Sequence, residues 1–365
     1  MKILSILDRY IIKKFLGTYI FSIILIISIA VVFDINERLD KFLNSDAPLK
    51  AIVLEYYFNF IPYYTNLFSA LFVFIAVIFF TSKLADNSEI IAMLSNGMSF
   101  KRLMKPYMIS AGIIAIFSFL LSSFIIPPAN KTRIDFQNKY IKDKSVDYAT
   151  SVQMQVEKDV ILYLGSFDNK TREGRDMSLD KFNDKELESR LTATRVKYDT
   201  LYKWTLTNYT IREFHDMREI ITNGPQLDTT INVIPTDFIA SVNDFEQMTT
   251  PELSRYIERQ KGKGQANIGG VSLTQFEIEY HKRFASIFSA FILTLIGASL
   301  SSRKVKGGMG LKIGVGLGLS VSYILFQTIS SSFAISGTMP PWLAVWVPNI
   351  VFILIAAFLY TKAPN

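Results

Sequence analysis

Apolar residues in this chain fall into three long runs, then a long polar stretch, then three more runs. The first group covers 15–33, 57–82 and 107–126; the second covers 284–300, 313–335 and 342–360. A helix needs about 20 apolar residues to cross roughly 30 Å of hydrocarbon, and each run is close to that length. Six such runs in 365 residues would need a far larger soluble shell to cover them as core helices. The pattern therefore predicts an α-helical membrane protein: six transmembrane helices, three before and three after an inserted soluble domain.

The inserted stretch changes period. Short β-rich segments occur at 151–157, 160–167, 175–182, 187–199, 203–214 and 226–233. Turn clusters separate them at Lys158-Asp159, Asp168-Asn169-Lys170, Asn183-Asp184 and Asn223-Gly224-Pro225. Strands at this spacing predict an all-β domain of sandwich or jelly-roll type. Thr249, Thr250, Pro251 and Glu252 then read as a helix start: a Thr cap, Pro in the first turn and an acid near the positive end of the dipole. That helix should run to about Lys261. Gly262, Gly264, Gly269 and Gly270 make a link, and a second helix from about Ser272 feeds the fourth span through Glu277, Glu279, His281, Lys282 and Arg283. The expected organisation is 1–127 for spans one to three, 128–248 for the β domain, 249–283 for a helical connector and 284–365 for spans four to six.

Charge sets the orientation. Lys2, Arg9, Lys13 and Lys14 precede span one. Lys83, Lys101, Arg102 and Lys105 lie between spans two and three, and Arg303, Lys304, Lys306 and Lys312 between spans four and five. On the other side Arg38, Lys41 and Lys50 are diluted by Asp34, Glu37, Asp40 and Asp46. The positive-inside rule puts both termini in the cytoplasm and the β domain outside, in a periplasm or its equivalent. The net charge of +7 largely restates this asymmetry and does not indicate nucleic-acid binding. The first run is too long for a signal-peptide core and lacks a small-residue cleavage pattern, so it is expected to stay as a span. The chain has no cysteine, which excludes disulfides and thiolate chemistry.

Two local features stand out. The segment 86–97 between spans two and three reads as a short cytoplasmic helix of about nine residues. Asp86 is placed to cap it, Glu89 stands where a capping box takes an acid, and Gly97 is placed as a left-handed stop. Its apolar side (Ile90, Ile91, Met93, Leu94) must lie on something, because so short a helix is not stable alone. Two readings stand: a connector resting on its own bundle, or a knob that docks a cytoplasmic partner. In span five Gly310, Gly314 and Gly318 fall four apart on one helix face and permit close backbone approach. That face serves either packing within the chain or a mobile or intersubunit contact.

Catalytic patterns are missing. His215 and His281 belong to no metal-spaced pair. Gly307-Gly308-Met309-Gly310 lacks the Gly-Lys-Ser/Thr of a phosphate loop, and there is no nucleophile elbow. No metal or cofactor is expected, and no enzymatic activity in this chain. Asp34 near the end of span one and Asn349 in span six are the polar residues at membrane depth that most need partners. No deep cluster of acids or histidines of the kind found in ion-coupled pumps is present.

With these residues on the page, the chain resembles the LptF/LptG family of lipopolysaccharide-export permeases. The resemblance rests on Leu7-Asp8-Arg9-Tyr10, on Ser88-Glu89-Ile90-Ile91-Ala92-Met93 followed by Asn96-Gly97-Met98-Ser99, and on Pro340-Pro341-Trp342-Leu343-Ala344 with Trp346 and Pro348-Asn349. The plan of three spans, β domain and three spans is also the family's. The opening motif leans toward the LptG type. The resemblance implies the permease subunit of an ABC-type exporter, whose ATP is hydrolysed by a separate cytoplasmic ATPase dimer. It implies a second LptF/LptG-type permease, a periplasmic bridge protein and a single-span accessory subunit as partners, and lipopolysaccharide as substrate, in the inner membrane of a Gram-negative bacterium. It places the ATPase-coupling acid at Glu89, so the coupling segment is expected to comprise Asp86, Ser88, Glu89, Ile90, Met93 and Gly97. A lateral entry for lipid falls to Asp34, Arg38 and Lys41 with Gly310, Gly314 and Gly318. The acids interleaved at 34–41 depart from the lysine-rich stretch of some relatives and suggest a less phosphorylated lipid. The alternatives are a non-transporting scaffold or mechanotransmission protein, and an ion-coupled carrier.

Overall fold

In a computed structural model of the protein, residues 5–141, 148–183, 186–215, 218–237, 244–262, 267–268, 271–302 and 308–363 are described. Lys2, the basic group Arg303, Lys304 and Lys306 with Gly307, Asp184 of one turn cluster, and the linking glycines Gly264, Gly269 and Gly270 lie outside the described residues. The chain forms two compact units, Met1–Ile141 with Glu277–Asn365, and Lys142–Phe276.

The first unit is helical. Helix α1 (Ile6–Leu43) carries the first apolar run and continues beyond it. Ser5 and Asp8 open it with a reciprocal capping box. Helix α2 (Leu49–Ala51) passes into a π-helical stretch (Ile52–Tyr57) and then α3 (Phe58–Leu67), which contains Pro62. After Phe68 comes α4 (Ser69–Asp86), then α5 (Glu89–Ser95) and α6 (Phe100–Leu120). A second π-helical stretch (Leu121–Ile125) joins α6 to α7 (Ile126–Tyr140). Both π stretches have prolines just after them: Pro62, and Pro127 with Pro128. Proline has no N–H for the carbonyl four residues earlier and crowds it, so a locally wider turn lets the helix continue. The second apolar run is two helices rather than one, α3 and α4 meeting at Phe68.

Short α8 (Asp244–Gln247) and α9 (Thr250–Gly262) belong to the second unit. The long α10 (Leu273–Ser301), α11 (Gly308–Ile335) and α12 (Pro341–Thr361) complete the chain. Six helices are long and apolar enough to cross a membrane: Ile6–Leu43, Ser69–Asp86, Phe100–Tyr140, Leu273–Ser301, Gly310–Ile335 and Pro341–Thr361.

Helix α4 holds the bundle together. It packs on α1 and on α11, while α6 packs on α1 and α12 on α11. Phe72, Val73, Phe74, Val77 and Ile78 of α4 share one buried cluster with Ile11 and Phe15 of α1, Tyr107 of α6, and Leu293 and Ile296 of α10. In α1 and α11 only 22 % of the apolar stretch is buried within the chain, against 61 % in α4 and α10. A second, aromatic cluster of Phe42, Tyr56, Phe60 and Phe136 joins the end of α1 to α3 and α7.

The second unit is built on one antiparallel sheet of six strands: β1 (Tyr148–Glu157), β2 (Val160–Asp168), β3 (Glu173–Asn183), β4 (Glu186–Tyr198), β5 (Lys203–His215) and β6 (Arg218–Thr230). The order is sequential, so each strand pairs with its chain neighbour. Val152, Met154, Leu162, Leu164, Met177, Val196 and Leu206 bury one face with Trp204, whose indole N–H donates to the carbonyl of Val233 at 3.1 Å. The short strands β7 (Asn267–Ile268) and β8 (Val271–Ser272) form a separate pair. The start of α9 follows its sequence signature: the backbone N–H of Thr249 donates to the Glu252 carboxylate at 2.8 Å.

One expectation fails here. Asn223-Gly224-Pro225 is not a turn but the middle of β6. Pro225 lacks a ladder donor and is tolerated because β6 lies at an edge of the sheet order. Gly224 sits under the ring of Tyr209 on β5; an added Cβ would come within 2.8 Å of that ring.

Candidate coupling and lipid-entry sites

The chain turns sharply between α4 and α5. Ser88 is left-handed (φ 61°, ψ 12°) and gives no side-chain cap to α5. This corrects the capping expected of Asp86: α4 runs through Asp86, whose carboxylate instead faces Lys312 of α11 at 3.8 Å. Glu89 is the first residue of α5 and does not close a capping box. Its Oε1 accepts from the Asn87 amide at 3.2 Å and its Oε2 from the Tyr10 hydroxyl of α1 at 3.3 Å.

Helix α5 spans seven residues, shorter than expected, because the turn at Asn87 and Ser88 absorbs its beginning. Gly97 ends it as anticipated, at φ +84°. The N–H of Gly97 donates to the carbonyl of Leu94 and that of Met98 to Met93, the paired bonds of a Schellman stop. Ile90 is fully buried in the bundle core, with Met93, Leu94 and Met98 packed against it. Ile91 is 49 % exposed, and Ala92, Ser95 and Asn96 share its exposure. Apolar Ile90 and Met93 thus anchor the helix, and Ile91 heads the face left open. Composition could not separate the two, since Ile90 and Ile91 are chemically alike and differ by 100° of helix rotation.

The opening motif has a structural reason. Asp8 is buried and accepts both terminal nitrogens of the Arg102 guanidinium, at 2.7 and 2.8 Å. This two-pronged pair clamps the start of α1 to the first turn of α6. Asp8 and Tyr10 therefore fix α1 to α6 and α5, a role the sequence alone did not assign.

The second candidate site lies at the other end of α1. Asp34 is 9 % exposed. It accepts from Arg38 Nε at 2.9 Å, from the Tyr56 hydroxyl at 3.2 Å and from the Tyr57 hydroxyl at 3.2 Å. The Arg38 guanidinium also lies over the Tyr56 ring. Asp34 thus has the partners its depth demands, and Arg38 is held by the acid one turn away. Lys41 is exposed. Asn349 is satisfied as well, accepting from the Tyr323 hydroxyl at 2.8 Å and donating to the carbonyl of Ala285 at 3.0 Å.

The glycines of α11 divide by face. Gly310, Gly314 and Gly318 have no atom within 4 Å of an added Cβ. Gly316, on the opposite side, presses on α4, where a Cβ would fall inside the Ile78 side chain. Gly297 of α10 meets Val77 of α4 in the same way, at 2.9 Å. Among the described residues the triplet therefore meets no neighbour, and the close approach is made by glycines that the i, i+4 spacing did not single out. α11 buries Lys312, Gly316, Ser320, Tyr323, Ser330 and Ala334, one narrow stripe, and presents the rest of its surface outward.

Several helices long and apolar enough to span a membrane, with an antiparallel β domain inserted in the sequence between them, define a polytopic membrane protein. The chain belongs to the LptF/LptG family: the model for the lipopolysaccharide export system permease LptF/LptG matches residues 9–362. No curated protein matches the chain. Family and apolar helices together make it an inner-membrane protein with several spans, of a family of transporter subunits rather than of enzymes.

Proposed function

We propose that the chain is one of two permease subunits in an ABC-type exporter that extracts lipopolysaccharide from the inner membrane and passes it to a periplasmic bridge. Both termini and α5 face the cytoplasm, six helices span, and residues 142–276 face the periplasm. A dimeric ATPase docks on the open face of α5, with Glu89 at its rim, while Ile90, Met93 and Gly97 hold and end the helix and Ser88 makes the joint. A second LptF/LptG-type permease and a single-span accessory subunit complete the assembly, and the opening motif favours the LptG-type role.

The observation that carries this reading is the open surface of α1 and α11, which bury only 22 % of their apolar stretches. Gly310, Gly314 and Gly318 lie on that open surface of α11, and Asp34, Arg38 and Lys41 at one end of α1. An apolar face with a polar end is what an amphiphile leaving a leaflet requires, and Arg38, already held by Asp34, leaves Lys41 as the freer cation for a headgroup. Intact complexes purified through this chain should carry an ATPase, and depletion should hold newly made lipopolysaccharide in the inner membrane. Export at a normal rate after depletion overturns the proposal; a complex without an ATPase favours an ion-coupled carrier.

A further inference from the structure

Lys312 is a cation where the sequence promised only a loop charge. Its side chain is 2 % exposed, on the stripe of α11 that faces α4. Nζ donates to the carbonyl of Ser301, the last residue of α10, at 3.3 Å, and meets Asp86, the last residue of α4, at 3.8 Å. An ammonium has three donors, and an ion taken out of water needs close, complete partners. Here the ion pair is long. Among the described residues, the buried hydroxyls of Ser301, and of Ser82 one turn before Asp86, have no hydrogen-bond partner. The cation thus sits among three helix ends, tied to α10 by one carbonyl and to α4 by one carboxylate.

We propose that Lys312 is a positioning residue that carries movement of the α4–α5 elbow into α11. Asp86 stands two residues before the left-handed Ser88 and three before Glu89. A displacement of α5 reaches Asp86 through that rigid joint. The ammonium follows the carboxylate, and α11 shifts with it. α11 is also the helix with the open glycine face, so the site ties the candidate coupling helix to a candidate lipid-entry helix inside one chain. The inference rests on the export reading above, and its test separates the two.

The test uses the purified complex with its ATPase. ATP hydrolysis and lipopolysaccharide release are measured separately for the wild type, Lys312→Met, Lys312→Arg and the exchange Asp86→Lys with Lys312→Asp. The chain has no cysteine, so spin labels at Ile116→Cys and Leu325→Cys, both on exposed positions, report the distance of α11 from α6, a helix outside the relay, with and without ATP. Lys312→Met should assemble and hydrolyse ATP near the wild-type rate, with release per ATP lowered at least about fivefold, the low end of ordinary coupling between sites. Its label distance should no longer respond to ATP. Lys312→Arg and the exchanged pair should recover both. A Met variant that releases lipid normally, or that loses assembly, hydrolysis and release together without recovery in the exchanged pair, overturns the proposal. If the wild type releases no lipopolysaccharide, the export reading fails, and the label distances still decide Lys312.

Discussion

The Tyr10 hydroxyl donates to Oε2 of Glu89 across 79 residues of sequence, joining α1 to the first residue of α5. With Asp8–Arg102 and Asp86–Lys312 it forms a set of polar ties around one elbow. Glu89 is therefore held in place before any partner arrives. Glu89→Gln keeps an acceptor for Tyr10 and should leave assembly nearly unchanged if that bond is all it does. Glu89→Lys reverses the charge at the rim of the open face and should weaken ATPase association. Copurified ATPase, quantified for both variants, is the measurement, and full association with Lys rules out docking at Glu89.

The glycines give a paired comparison. Gly316→Leu forces a side chain into Ile78 and Phe74 of α4 and should destabilise the bundle by about 1–3 kcal/mol, the usual cost of overpacking. Gly314→Leu points into open space and should leave the melting temperature of the detergent-solubilised chain alone, while weakening any contact with a second permease. Equal melting losses for both would show that the two faces are misassigned.

The contrast also shows what the sequence can carry. The six long apolar helices were legible because twenty apolar residues have few other fates. The β segments were legible because turn residues separated them. What failed was facing. A four-residue spacing marks one side of α11 but not whether that side meets a neighbour, and Gly316 gave no periodic signal. Pro225 misled because proline ends most strands, and only its edge position excuses it. The break between α3 and α4 was hidden inside a continuous apolar run. The ties of Asp8, Tyr10 and Lys312 join residues distant in sequence, which no local pattern reports.

Asn349 links α12 to α11 through Tyr323 and to α10 through the carbonyl of Ala285. Hydrogen bonds between spans contribute about 0.6 kcal/mol each, up to about 1.7. Asn349→Leu should lower stability by roughly 1–2 kcal/mol on that scale. Tyr323→Phe should cost about half as much, since it removes one of the two hydrogen bonds of Asn349. Thermal denaturation in detergent reads both, and an unchanged midpoint for Leu would mean that the amide is not holding the three spans together.

In the β unit Arg190 grips Asp180 through two nitrogens, at 2.8 and 2.7 Å. That hydrogen bonding holds the Asp180 carboxyl below its ordinary value of 3.8. A carboxylate whose folded pKa is depressed stabilises the fold above its unfolded pKa and loses that contribution as pH falls through the folded value. The pair is partly exposed, so its worth is about 0.2–1 kcal/mol. Asp180→Asn should be less stable than the wild type at pH 7, and the gap should close below about pH 4. Amide exchange of β3 and β4 at both pH values measures this; a gap that persists in acid would assign the effect to packing.

The lipid path can be followed with photo-crosslinkers. Phe33 is 70 % exposed on α1, Lys41 is exposed further along the same helix, and Arg38 lies between them, bound to Asp34. On β2 the inward positions are Leu162, Leu164 and Phe167, all buried, so lipid can meet them only if acyl chains enter the core face of the sheet. In membranes supplied with ATP, adducts to lipopolysaccharide should form at Phe33 and Lys41 and be weaker at Arg38, whose guanidinium is already engaged. On the proposed export function, adducts at Leu162 and Leu164 should then grow with ATP. Ordinary phospholipid at every α1 position, with no adduct on β2, would exclude a lipopolysaccharide path along this chain. Strong adducts at Arg38 would show that Asp34 releases it during transport, which Asp34→Asn should then enhance.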